Sequence, residues 1–315
     1  WVRNRTPGSA GVIVGPGDDA AVLRPPTRPQ LVTTDMLLDG SCFRLAEAGP
    51  YRVGRKAMAV NLSDVAAMAG VPTAAVVSVG LPRDGGRELA EQLYFGMRAV
   101  ANEFRVPLVG GDTNSWDGPL AISVTVLGEA TERGPVLRSG ARVSDWVMVT
   151  GPLGGSILGH HLDFTPRVRE ALRLHEVADL HAMIDVSDGL AKDLHHICEE
   201  SRCGALLYAN RIPVTDAARQ LAARDGRTVE DHTLSDGEDF ELVFTVAPAD
   251  GDRLLREQPV AGMTVWRIGE ILKDGYWIER AGKRERLEPR GYEHKLTVSR
   301  DAERSASPGR FGEPD

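Results

Sequence analysis

Short stretches rich in β-branched residues alternate along the chain with longer stretches of helical periodicity. The strand-like runs of the first half occupy residues 30–35, 73–81, 106–112 and 120–130, separated by helix-like runs at 51–70 and 87–104. The second half repeats the pattern, with strand-like runs at 145–151, 182–186, 204–209, 239–246 and 263–271 and helices starting near 154, 187 and 214. This alternation predicts an α/β (α+β) fold of mixed sheets flanked by helices.

A stretch without apolar periodicity separates the two series. Residues 132–145 are rich in Gly and Ser, as expected of a linker. A chain of 315 residues is long enough for two domains that each bury a core. We therefore expect an N-terminal α/β domain over 1–135, a C-terminal α/β domain over 136–300, and a polar, mobile tail over 301–315.

Charge and composition exclude several classes of protein. The formal net charge is -8 and the chain has no basic run, which argues against a nucleic-acid-binding surface. No apolar run reaches the roughly 20 residues that span a bilayer, which argues against a membrane protein. The three cysteines form no paired motif, so we expect a reducing, cytoplasmic location.

Aspartates recur where the strand-like runs end. Asp35 and Asp112 close two such runs, and Asp185 and Asp188 follow another. In "GPGDDAAVL" the adjacent Asp18 and Asp19 precede a strand in the same way. Aspartate at a strand end commonly makes a turn or caps a helix, and Asp188 in particular could cap the helix that follows.

Asp64 is harder to explain as a turn or cap residue. It lies in "AVNLSDVAAMAG", where small and apolar neighbours predict a helix buried on most faces. Asn61 shares its side of that helix, and no Lys or Arg stands three or four positions away. Because an isolated buried charge is costly, a metal ion or a distant basic residue must supply the positive charge.

These aspartates predict a metal-dependent phosphoryl-transfer site. Hard oxygen donors without His or Cys favour Mg²⁺, and a cluster this acidic needs a polyphosphate to bridge several ions. Neither GxxxxGK[ST] nor GxGxxG occurs, and the turn "VTGPLGGS" (149–156) fits a phosphate cradle or a plain loop. A separate general base is not expected, since the acceptor could be an ionised phosphate.

An ordered series of motifs resembles the bacterial thiamine-monophosphate kinases, within the aminoimidazole ribonucleotide synthetase-like superfamily. The matching stretches are "GDDAAVL", "TTDMLLDG", "KAMAVNLSDVAAMAG", "GGDT", "LRSGA", "IDVSDGLAKDL" and "SDGEDFELVFTV". The resemblance implies a two-domain fold and an ATP-dependent phosphorylation of thiamine monophosphate to thiamine diphosphate, with several Mg²⁺ ions between the substrates. It also implies a homodimer formed through the N-terminal domain.

The same resemblance implies roles for particular residues. The metal-linked positions would be Asp19, Thr33, Thr34, Asp35, Asp64, Asp112, Asp185 and Asp188. The ATP-binding positions would be Gly111, Arg138 and Ser187, and the substrate-binding positions would be Cys42, Glu238 and Tyr292. Tyr292 would stack on a heteroaromatic ring. The role of Asp18 relative to Asp19 is left open.

One residue departs from the family pattern. Cys42 stands where the family usually has a substrate-contacting His, and a thiol is a poor hydrogen-bond donor. Cys42 is the one feature that favours a second interpretation, a non-catalytic nucleotide-binding relative. A third, an ATP-dependent cyclo-ligase of the same superfamily, also stays open, although no motif favours it. The pairs His160–His161 and His195–His196 are interpreted as helix-surface residues without acidic partners at ligand spacing.

Overall fold

A computed structural model of the chain describes residues 11–16 and 19–293. Its strands are β1 (Val12–Val14), β2 (Val22–Leu23), β3 (Gln30–Leu38), β4 (Val71–Pro82), β5 (Leu108–Trp116), β6 (Ala121–Glu129), β7 (Trp146–Val149), β8 (Leu180–Asp185), β9 (Gly204–Tyr208), β10 (Leu242–Val246), β11 (Trp266–Leu272), β12 (Tyr276–Arg280) and β13 (Lys283–Arg286). Its helices are α1 (Leu45–Ala48), α2 (Pro50–Ala67), α3 (Gly86–Glu103), α4 (His160–Asp163), α5 (Val168–Val177), α6 (Leu190–Ser201), α7 (Asp216–Asp225), α8 (Val229–Ser235) and α9 (Pro248–Glu257).

The strands form two main sheets, both mixed. The first has the order β3-β6-β4-β5, with β4 and β5 parallel. The second has seven strands in the order β13-β12-β9-β11-β7-β10-β8, with β12 and β9 parallel. The predicted α/β architecture of mixed sheets flanked by helices is confirmed. The predicted division at 135/136 falls between the two sheets, while Asp18 and the tail at 301–315 lie outside the described residues.

Helix α2 joins the two halves. It packs on β3, β4 and β6 of the first sheet and on α4, α5 and β8 of the second half. Of its 18 residues, 13 are buried. One apolar core runs from Val124 of the first sheet through Met58 of α2 to Phe244 of the second sheet. The sequence-based prediction of a helix buried on most faces is therefore correct.

Two aspartates expected at strand ends lie inside strands. Strand β3 continues three residues past Asp35, because all nine of its residues pair with β6. Strand β5 continues past Asp112 to Trp116 along β4. Both are edge strands. Asp112 is exposed there, which an edge strand tolerates, whereas Asp35 faces α2. Asp185, in contrast, is the last residue of β8, as predicted.

Other elements differ from the sequence pattern. The helix expected near 154 is a 3₁₀ turn followed by the short α4, because Gly159 separates them with φ 132°. Helices α5 and α9 and the hairpin β12–β13 were not predicted. None of the helices in the described residues combines the length and apolarity that a bilayer-spanning segment requires.

Helices α2 and α3 cross at glycine contacts. A Cβ on Gly96 would stand 1.9 Å from the carbonyl oxygen of Tyr51, and one on Gly54 would stand 2.1 Å from that of Leu93. Backbone atoms cannot move aside as a flexible side chain can. The two glycines therefore set how closely these helices approach.

We expect Gly96→Ala to lower the free energy of unfolding by about 2 kcal/mol, even though alanine is the better helix former. Chemical denaturation measures the change. Gly15→Ala is the control, because its nearest neighbour is a Val12 methyl group at 3.8 Å, and it should change stability by less than about 0.5 kcal/mol. Equal stabilities of the two variants would mean that the helices separate at little cost.

Candidate active site

Three carboxylates converge on one end of helix α2. Asp64 lies on the helix, Asp35 on β3 and Asp185 at the end of β8. The Thr33 hydroxyl donates to Asp64, and the Ser63 hydroxyl donates to Asp185 over 2.6 Å. The cluster therefore contains carboxylates from both sheets.

Burial and mutual repulsion disfavour the charged forms of these acids. Burial, followed by the nearby charge of Asp64, raises the pKa of Asp35 to about 7. The same two causes raise the pKa of Asp185 to about 7. Burial also raises the pKa of Asp64, against opposing effects of the Thr33 hydrogen bond and the Arg138 charge. Such a group of carboxylates at neutral pH calls for a compensating cation.

Arg138 faces this cluster from the second half of the chain. It lines a cavity of about 450 Å³ together with Thr33, Asp64 and Asp185. The hydroxyl of Ser201, at the end of α6, accepts from the Gly140 amide at 3.1 Å and donates to the Arg138 carbonyl at 3.1 Å. The distant positive charge predicted for Asp64 is thus at least partly supplied by Arg138.

The predicted substrate residues meet on another side of α2. Lys56 donates to the carbonyl of Cys42 and to Oε1 of Glu238, each over 2.6 Å. The hydroxyls of Tyr292 and Ser41 are 3.5 Å apart. Cys42, Glu238 and Tyr292, which are far apart in the sequence, therefore surround one region.

Glu238 stands in a strained turn. Its φ is 53°, a left-handed conformation that is uncommon for a residue with a side chain. Its amide donates to the Ser187 carbonyl at 2.8 Å. The Phe240 amide donates to the Val186 carbonyl at 2.9 Å, so the backbone on both sides of Asp239 is tied to the segment that links β8 and α6.

The other acids of "SDGEDFEL" hold this turn in place. Asp239 accepts from the Gly154 amide at 2.8 Å, and Asp236 accepts from the Gly155 amide at 3.0 Å. Glu241 accepts from the Thr150 hydroxyl at 2.7 Å. Because the two glycine amides already donate to carboxylates, the turn at 149–156 acts as a supporting loop and does not form a phosphate cradle.

The start of helix α6 is capped differently from the sequence-based suggestion. Its N-cap is Gly189, and Asp193 accepts from the amides of Asp188 and Gly189 at 3.0 Å each. The Asp188 carboxylate does not cap the helix, and it pairs with Nζ of Lys192 at 2.9 Å. It remains available as a ligand.

The histidine interpretation was wrong in three places. Nδ1 of His195 lies 3.6 Å from Oε2 of Glu199. His161 is buried, and its Nδ1 lies 2.9 Å from the Ser156 carbonyl oxygen. His196 does have acidic partners, since its ring nitrogen and oxygens of Asp188 and Asp193 lie within 4.8 Å of one another. The burial of His161 depends on how the chain turns before α4, which a one-dimensional pattern does not show. Asp193, in contrast, stands three residues before His196 on the same helix, a spacing that the sequence already contained.

Three predicted residues lie away from the carboxylate cluster. Asp19 and Gly111 line a separate cavity of about 960 Å³ between β4, β5 and α3. Gly111 has φ 153°, and a Cβ there would stand 1.9 Å from the Val77 carbonyl oxygen, so only glycine fits. Asp112 lies on edge strand β5, three strands from Asp35, at a spacing of about 14 Å.

Thr34 also points away from the cluster. Successive side chains of a strand face opposite sides, so Thr33 and Asp35 face α2 while Thr34 faces outward. Its hydroxyl donates to the Val124 carbonyl at 3.1 Å. Thr34 and Asp112 therefore share the outer face of the first sheet, on its two outer strands.

Comparisons with known proteins agree with this arrangement. Residues 17–130 match the N-terminal domain, and residues 142–278 the C-terminal domain, of the AIR synthase related proteins. The chain is 43% identical to a thiamine-monophosphate kinase of Rhodopirellula baltica over 94% of this chain and 96% of that protein. The chain belongs to the thiamine-monophosphate kinases of this family.

Two solved structures superpose on this chain. The thiamine-monophosphate kinase of Stenotrophomonas maltophilia K279a superposes with a TM-score of 0.78 and 33% identity, covering 88% of this chain and 94% of that one. AaThiL complexed with AMPPCP and TMP superposes with a TM-score of 0.75 and 28% identity, covering 88% and 91%. The resemblance and the two-domain fold predicted from the motifs are confirmed.

Sequence reasoning missed Lys56, Ser63 and Ser201. Lys56 had a detectable signal, because it stands in a helix predicted to be buried on most faces, where a lysine must have a partner. Ser63 had no such signal, since its partner Asp185 lies 122 positions away. Ser201 had none, since its contacts with the Arg138 loop join residues 60 or more positions apart.

The raised pKa of Asp185 predicts how metal-free stability depends on pH. The folded chain keeps this proton up to about pH 7, whereas an exposed aspartate releases it near 3.8. The free energy of unfolding in EDTA should therefore fall as pH rises from about 4 to 7. Asp185→Asn removes the ionisation, so it should exceed the wild type in stability at pH 8 by about 1–3 kcal/mol but not at pH 4.

Urea denaturation at both pH values measures this difference. Asp274→Asn, at an exposed position of the second half, serves as the control and should follow the wild type. Mg²⁺ added to the wild type at pH 8 should recover stability. Parallel pH profiles of the wild type and Asp185→Asn would contradict the assigned protonation.

Proposed function

We propose that the protein transfers the γ-phosphoryl group of ATP to the phosphate of thiamine monophosphate, giving thiamine diphosphate and ADP. The observation that carries this proposal is the convergence of Asp35, Asp64 and Asp185 opposite Arg138. A group of hard oxygen donors beside one guanidinium suits polyphosphate held through divalent cations. The family relationship and the AMPPCP and TMP bound to AaThiL support the same substrates.

The donor set fits Mg²⁺. The raised pKa values of the three acids reflect burial and a mutual repulsion that divalent cations relieve, and among the described residues the cluster includes no sulfur or imidazole group. When bound, several Mg²⁺ ions would neutralise phosphate oxygens of both substrates. Arg138 would add a positive charge on the transferring group. A phosphate monoester is largely ionised at neutral pH, so the attacking oxygen needs no protein base.

Nucleotide and vitamin would occupy different regions. We place the nucleotide base in the cavity of about 960 Å³ next to Gly111 and Asp19, whose walls include the buried ring of Tyr94. We place the thiamine rings between Cys42, Glu238 and Tyr292. Asp188 and the Ser187 carbonyl, beside Glu238, would lie between the phosphates and the ring end. The three cysteines are free, in keeping with a cytoplasmic location.

A homodimer would complete the site. The outer face of the first sheet exposes Val32 and Met36 by 64% and 66%, although both are apolar. Asp112 and Thr34 lie on this face, too far from each other in one chain to share an ion whose oxygen ligands stand about 2.1 Å away. A second copy packed on this face would bring Asp112 of one chain beside Thr34 of the other, on the strand that carries Asp35 on its opposite face.

The direct test is product formation. Incubation with Mg-ATP and thiamine monophosphate should yield thiamine diphosphate and ADP, detected by mass spectrometry. Folded protein that binds Mg-ATP tightly without forming product would instead favour the non-catalytic reading. Release of ADP that required a formylglycinamidine substrate would favour the cyclo-ligase.

Paired variants test the shared site. We expect Asp64→Asn and Asp112→Asn each to lower kcat by about 100-fold or more, because each removes a carboxylate from the metal cluster. A heterodimer of the two variants, isolated with two affinity tags, should recover about half of the wild-type activity. It contains one site in which both aspartates are intact.

The control places both substitutions on one chain beside a wild-type partner. If each site draws Asp64 and Asp112 from different chains, this heterodimer has no intact site and should be inactive. If both aspartates belong to the site of their own chain, the heterodimer of single variants should be inactive and this control should keep about half of the wild-type activity. That outcome would refute the shared site.

A further inference from the structure

Lys56 is a charged side chain buried between the two halves of the protein. Its side chain is 1% exposed, although it lies on α2 beside the substrate region. Two of its three possible hydrogen bonds go to acceptors at 2.6 Å, the Cys42 carbonyl and Glu238 Oε1. Burying an ammonium group is costly unless it is paired, so these contacts determine where it lies.

The ion pair leaves one oxygen of Glu238 for a ligand. The Glu238 side chain is 34% exposed, and Lys56 occupies Oε1. Its backbone is held by the strained φ and by the bond to Ser187. The neighbouring acids Asp236 and Asp239 are engaged by glycine amides and cannot replace it. Glu238 therefore offers Oε2 as an acceptor in a defined direction.

The other basic side chains near Glu238 have partners of their own. Arg52 is paired with Asp163. Burial lowers the pKa of His161, which favours its neutral form, and its Nδ1 faces the Ser156 carbonyl. Within the described part of the chain, Lys56 is therefore the cation that pairs with Glu238. The same ammonium group holds the turn at Cys42, next to the Ser41 hydroxyl that lies beside Tyr292.

We propose that Lys56 is a positioning residue for substrate recognition, holding Glu238 so that its free oxygen accepts a hydrogen bond from the amine of the aminopyrimidine ring. This inference rests on the proposed function and specifies what the ring end of the site selects. A carboxylate accepts from an amine but repels a carbonyl oxygen. The site should therefore discriminate against an analogue in which oxygen replaces that amine.

Steady-state kinetics with thiamine monophosphate and with the oxygen-substituted analogue test the role of Lys56. The wild type should prefer thiamine monophosphate over the oxygen-substituted analogue in kcat/KM. Lys56→Met should raise KM for thiamine monophosphate by about 10-fold or more and reduce that preference by a similar factor, with KM for ATP changed less than about twofold. Glu238→Gln should lose the same preference. Lys283→Met, at an exposed position on β13, is the control and should match the wild type.

The double variant Lys56→Met/Glu238→Gln isolates the coupling and avoids a buried unpaired charge if Lys56→Met alone does not fold. A residue that acts through Glu238 adds nothing once the carboxylate is gone, so the double variant should show the preference of Glu238→Gln. Unchanged preference in a folded Lys56→Met, or a further loss in the double variant, overturns the inference. A wild type that makes no thiamine diphosphate would instead refute the proposed function.

Discussion

The burial of helix α2 between two sheets is the constraint on which the rest of the structure depends. Thirteen of its residues are buried, among them Lys56, Asn61 and Ser63. Polar groups removed from water must find partners, and those partners lie on other elements. Lys56 reaches Glu238 and Ser63 reaches Asp185, both in the second half of the chain. Packing one helix therefore aligns the two halves and builds two parts of the site.

The acidic residues that stabilise the turn at Glu238 have favourable partners, whereas the acids of the candidate active site repel one another. Glu241 is paired with Arg167, and Asp239 accepts from a backbone amide. Asp35, Asp64 and Asp185, in contrast, repel one another and have raised pKa values. The protein thus concentrates unfavourable charge at one place, where cations and phosphate relieve it. The left-handed backbone of Glu238 is a second unfavourable feature, and it lies beside the substrate region.

Sequence patterns located most strands and the buried helix, because hydrophobic periodicity reflects local burial. They failed where pairing or backbone geometry overrides periodicity. Strand β3 extends past Asp35 since β6 pairs along its whole length, and Gly159 interrupts a helix that the composition favours. Asp188 was considered as a cap of α6, whereas Asp193 from inside the helix accepts from the amides at its start.

The sequence by itself determined the chemistry of this protein: its hard oxygen donors and the order of motifs that identifies the family. Only the tertiary structure decided which acids work together. Glu238 and Asp239 are neighbours in one motif, yet one faces Lys56 and the other a glycine amide. Asp35 and Asp112 follow similar runs but lie on opposite edges of a sheet. The reason is physical, because a side chain's partner is set by packing between elements that are often more than 80 residues apart in the chain.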